Sequence, residues 1–210
     1  SLEELANVVT HLIPAILSFF VLSSMLSSVA NTHRETIAAY VYGGCCILLF
    51  SISTGYHASG LLFGKSSQLN KLFQKADHTI IFSFIAASYT PWCILVEAGT
   101  SNVVGKTVVA LIWLFAIYGT YSVFMPRENK SSVYLYLLMG WVSVIYISIL
   151  VYMIASGRMI TELAYYKSII EIMAGGVLYS AGTFIFKLDG RLPFAHSIWH
   201  IFVASAAALH

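Results

Sequence analysis

His196 and His200 lie four residues apart in "PFAHSIWH" (193–200), a spacing that sets two imidazoles on one face of a helix. The pair sits at the edge of an apolar stretch, where buried ionisable groups are costly and mark functional positions. Three more groups of this kind occur: Ser53 and His57 in "SISTGYH" (51–57), Asp77 and His78 in "ADH" (76–78), and Glu4, Asn7 and His11 in "EELANVVTH" (3–11). Each has a bland account. His57 could be a packed or interfacial histidine, and Ser53 could bond to its own preceding turn. Asp77 could cap a helix or pair with Lys71 or Lys75. Glu4, Asn7 and His11, at i, i+3 and i+7, could join one helix to a neighbour.

Taken together, they suggest a specific chemistry. Three imidazoles from two helices, His57 with His196 and His200, match the three-histidine set that holds zinc and leaves one position open for water. Asp77 could orient or deprotonate that water, and the Ser53 hydroxyl could steady it or a developing oxyanion. Neutral imidazoles that bind a dication would also account for their own burial. The scheme requires four stretches of chain to deliver these residues at one depth.

Apolar residues make up 59% of the chain and charged residues 10%, with a mean hydropathy of +0.82. Soluble domains carry about a quarter charged residues, so the composition specifies an integral, multi-pass membrane protein in a lipid bilayer. Polar gaps at 30–36, 64–77, 97–106, 125–132, 156–167 and 187–193 separate seven apolar stretches. The spacing predicts an all-α bundle of seven transmembrane helices forming one domain over 1–210, at about 5–29, 37–63, 68–96, 107–125, 133–155, 168–186 and 194–210. Ser66 or Ser67 can cap the third helix, which begins inside its loop. The last stretch is cut short, and a continuation past His210 is expected, as is a front tail before Ser1. Unbroken apolar runs exclude a transmembrane barrel. Glu3 and Glu4 stand where a signal peptide would carry positive charge.

Charge orients the bundle. With the N-terminus inside, the inner loops hold Lys65, Lys71, Lys75, Arg127, Lys130, Lys187 and Arg191, against Arg34, Lys106, Arg158 and Lys167 outside. This Lys/Arg bias favours the N-terminus inside. The four polar groups then fall at the inner ends of helices one, two, three and seven, which puts the zinc site near the inner leaflet. No basic run with stacking aromatics points to nucleic acid. Cys45, Cys46 and Cys93 lack the paired spacing of a zinc or redox motif and read as buried filler.

The sequence resembles the hemolysin III and progestin/adipoQ receptor family. The resemblance rests on "EELANVVTH", "STGYH" (53–57) followed by "ADH", and "PFAHSIWH", with "FIAASYTPW" (84–92) and "LMGW" (138–141) in support. It covers nearly the whole chain and points to the branch of bacterial hemolysin III and monocyte-to-macrophage differentiation proteins. The resemblance implies seven helices with a cytosolic N-terminus. It also implies zinc on His57, His196 and His200, with Asp77 and Ser53 beside the reacting water. It further implies kinship with membrane hydrolases that cleave lipid amides such as ceramide. The leading expectation is therefore a zinc-dependent hydrolase of a lipid or fatty-acyl substrate, or a receptor relying on that activity. The alternative is a non-enzymatic receptor or scaffold with structural zinc, which would need a fourth protein ligand such as Asp77, His11 or His78. An ion pathway would need polar residues continuing across the membrane. The charge bias disfavours a G-protein-coupled receptor, and the absence of a lysine in the seventh stretch disfavours a retinal protein.

Overall fold

The computed structural model describes residues 1–95, 103–125, 131–157 and 163–210. These form seven helices: α1 Leu2–Ser28, α2 His33–Phe63, α3 Gln68–Leu95, α4 Val103–Phe124, α5 Ser131–Ala155, α6 Leu163–Phe186 and α7 Ala195–Leu209. The first six are long and apolar enough to cross a bilayer, and α7 is a shorter apolar helix of 15 residues. Arg127, Lys130 and Arg158, which enter the charge reading, lie outside the described residues.

The helices occupy the expected stretches but several start earlier, and capping explains two of these starts. α2 begins at His33 rather than 37 because Thr32 and Glu35 form a reciprocal cap. The Thr32 Oγ1 accepts the Glu35 N–H at 3.3 Å, and Glu35 Oε2 accepts the Thr32 N–H at 2.8 Å. Part of the gap at 30–36 is thereby drawn into the helix. α1 begins at Leu2 rather than 5, with the Ser1 Oγ accepting the Glu4 N–H at 3.3 Å. α3 begins where expected, with the Ser67 Oγ accepting the Asn70 N–H at 3.2 Å.

Each helix packs on its sequence neighbours, and α7 packs against α1, closing a ring. α3 belongs to both cores. Its residues Phe82, Ala86, Tyr89 and Cys93 pack with Ile112 and Ala116 of α4 and with Met139, Tyr146 and Leu150 of α5. Its residues Ile80 and Phe84 pack with Ala15 of α1, Leu49 and Phe50 of α2, and Val203 and Ala207 of α7. Within a bilayer such association relies on close packing and on hydrogen bonds between helices. Tyr89 supplies one such bond, its hydroxyl donating to the Met139 carbonyl at 2.6 Å. Tyr42 supplies another, tying α2 to α7 through the Ala207 carbonyl at 2.7 Å. Gly182 lets α6 approach α7, since a Cβ there would stand 2.7 Å from Phe202 Cβ. Phe19, Phe20, Leu114, Ile145, Ile170 and Phe184 face outward, an apolar coat suited to lipid.

Candidate metal centre

Two constraints bring the α2 and α7 histidines together. The end of α2 is clasped to the start of α3 by the buried Asn70, whose Nδ2 donates to the Tyr56 carbonyl at 2.8 Å and to the Ser59 Oγ at 3.0 Å. This clasp flanks His57 on both sides. α7 enters through a run of turns over 187–194 that ends at Phe194, in the left-handed region with φ 58. Such a backbone costs on the order of 1–3 kcal/mol for a non-glycine residue and needs support. Glu3 provides it, with its Oε1 accepting the Phe194 N–H at 2.9 Å. His196 follows two residues later.

His57, His196 and His200 converge, with a nitrogen from each lying within 4.8 Å of the others. The His57 ring centroid is 5.0 Å from that of His196 and 5.1 Å from that of His200, and the rings meet edge to face. Among the described residues no other histidine, cysteine or acid joins this cluster.

The hydrogen bonds around the cluster fix its tautomers. His57 Nδ1 meets Glu4 Oε2 at 2.8 Å and His196 Nδ1 meets Asp189 Oδ2 at 3.0 Å. A carboxylate only accepts, so each ring carries its proton on Nδ1. His200 Nδ1 lies 3.0 Å from the Thr10 Oγ1, whose single proton goes to the Ala6 carbonyl at 2.8 Å. With that proton engaged, the Thr10 oxygen is free to accept from His200 Nδ1. With Nδ1 engaged in this way, a neutral ring offers Nε2 as the lone pair required of a metal ligand, and oxygens of this kind commonly orient such ligands. His57 Nε2 is buried without a hydrogen-bond partner among the described residues, which a metal ion would supply. Three neutral imidazoles form a donor set that could hold a divalent metal ion.

Asp77 and Ser53 lie beside this cluster. The Ser53 hydroxyl, one helical turn before His57, hydrogen-bonds the Asp77 carboxylate, and Asp77 is near enough to His196 for their charges to interact. The alternative pairing with Lys75 is not seen, and the Lys75 ammonium lies over the Phe124 ring. His78 is exposed, away from any ligand role.

The stripe on α1 is part of the centre. Glu4 holds His57, and the Asn7 Oδ1 accepts the Ser197 hydroxyl of α7 at 2.5 Å. His11 stacks on His200 with centroids 3.5 Å apart. Lys65, in the short link between α2 and α3, donates to Glu4 Oε1 at 2.6 Å, and this bond raises the lysine pKa. Sequence reasoning missed Thr10 and Asp189. A threonine in an apolar helix and an aspartate in a turn carry no signal of their own. Only the seven-residue reach from Asp189 back over the turn to His196 gives Asp189 its place.

The comparisons agree with this architecture. The family profile described as "Haemolysin-III related" matches residues 1–210. Hemolysin-3 of Bacillus cereus is 36% identical over 211 residues, spanning 99% of this chain and 88% of that protein. Monocyte to macrophage differentiation factor of Homo sapiens is 35% identical over 216 residues, spanning 99% of this chain and 81% of that protein. The Bacillus subtilis hemolysin-3 homolog is 31% identical over 210 residues, spanning 98% and 90%. With whole-length matches on both sides and helices built for a bilayer, this chain is an integral, multi-pass membrane protein of the haemolysin-III family, within the progestin and adipoQ receptor group.

Proposed function

We propose that this protein is a zinc-dependent intramembrane hydrolase of lipid amides resembling ceramide, or a receptor that relies on that activity. The observation that carries the reading is the convergence of one ring nitrogen each from His57, His196 and His200 within 4.8 Å of one another, with Asp77 outside that set. A site that merely fastened helices would be closed by a fourth protein ligand.

When bound, zinc supplies a Lewis acid that polarises a carbonyl and acidifies water. The chain's own residues do the rest. In this reading Asp77 takes a proton from water at the site, and Ser53 holds its carboxylate in orientation. Glu4, Asp189 and Thr10 hold the three imidazoles in orientation. The Lys/Arg distribution favours an N-terminus on the inner side. The centre then lies near the inner leaflet, since the links at 64–67 and 187–194 both border it.

Purified protein assayed for bound zinc and for cleavage of a long-chain ceramide tests the reading. Cleavage should stop on chelation and return with added zinc. Fully zinc-loaded protein that cleaves no lipid amide would sink the hydrolase.

A further inference from the structure

Between the first turn of α1, the end of α2 and the turns before α7 lies a polar cavity of about 140 Å³, room for several water molecules. Glu3, Glu4 and Asp189 line it with carboxylates, against the single ammonium of Lys65, an excess of two negative charges when the imidazoles are neutral. His57 and His196 form its inner wall. His57 is only 4% exposed, yet its Nε2 has no hydrogen-bond partner among the described residues. The cavity thus connects the water-exposed Lys65 with two of the three metal ligands.

We propose that this cavity is the route by which the metal ion reaches and leaves the histidines, with the Lys65–Glu4 pair as its latch. The inference rests on the zinc reading and adds a path to it. Negative walls concentrate cations and exclude anions. Glu4 divides its two oxygens between the tasks, Oε1 to Lys65 at 2.6 Å and Oε2 to His57 at 2.8 Å. The lysine side chain is 73% exposed, so the pair is weak and opens readily. When Lys65 swings out, Oε1 becomes a free anionic oxygen on the cavity wall, while Oε2 still holds His57. A divalent cation can then shed water onto Glu4 Oε1 and pass to the imidazoles.

The experiment follows zinc uptake by the stripped full-length chain in nanodiscs, and zinc extraction by a fluorescent chelator, in stopped flow. Lys65→Met should raise both rates by about 3–10-fold, at the low end of electrostatic effects on association, and leave zinc content at saturation unchanged. Lys65→Arg should keep wild-type rates. Glu3→Gln retains an oxygen for the Phe194 N–H but removes a charge. It should slow uptake at low salt, with the difference shrinking at about 1 M salt, where the screening length is about 3 Å. Lys65→Met rates equal to wild type would overturn the latch. Faster extraction without faster uptake would also overturn it, because Lys65 would then be stabilising the site rather than gating it. Wild-type protein that takes up no zinc would overturn the metal reading itself, and the route with it.

Discussion

His57 Nδ1 donates to Glu4 Oε2 at 2.8 Å, so the first turn of α1 orients an imidazole carried by α2. Thr10, two turns further along α1, does the same for His200 of α7. Removing such partners commonly weakens metal binding by about 10–100-fold. Glu4→Ala should therefore lower zinc affinity within that range. Thr10→Val should lower it too, by freeing the His200 tautomer. Competition with a chelator of known affinity measures both, and unchanged affinity in Glu4→Ala would refute the orienting role.

Each of the three histidines should be indispensable. His57→Ala, His196→Ala and His200→Ala should each lose most of the zinc measured by elemental analysis, because two imidazoles make a poor site. His33→Ala, at the opposite end of α2, should keep it. Full occupancy in the His57 variant would show that the ligand set is wrong.

Asp77 separates catalysis from fastening. Asp77→Asn should retain zinc and lose about 10²–10⁴-fold of lipid-amide hydrolysis, the usual loss for a general base. Ser53→Ala, which leaves the carboxylate less firmly held, should show a milder loss of the same kind. Loss of zinc and of melting temperature together would instead make Asp77 a fourth ligand of a structural site.

Reporter tags in the links at 64–67 and 187–194 should appear on the cytosolic side, and tags at 156–167 on the opposite one. A cytosolic tag at 156–167 would reverse the orientation and move the centre to the other leaflet.

The seven helices were legible because long apolar runs leave few alternatives in a bilayer. Their starts were less so, because polar residues such as Thr32 and Glu35 read as a loop until their side chains are seen bonding to the backbone. His57, His196 and His200 could be grouped by sequence because alternating helices return to the same side of the membrane. Glu4 stood out as an acid in a membrane helix, but whether it glued helices or served the centre depends on its distance to His57. Thr10 and Asp189 stayed hidden for the same reason. Their importance lies in what they touch, and an isolated threonine or turn aspartate is ordinary.

The ring of helices closes only where α7 meets α1, and this gives the centre a history during synthesis. His196 and His200 emerge after α1 to α6, whereas Glu4, Lys65 and His57 can bond to one another once α1 and α2 have docked. The early trio shields its polar groups while the chain is unfinished. Capture of the metal must await insertion of α7 and its approach to Thr10. Metal occupancy would thus report that α7 has docked on α1.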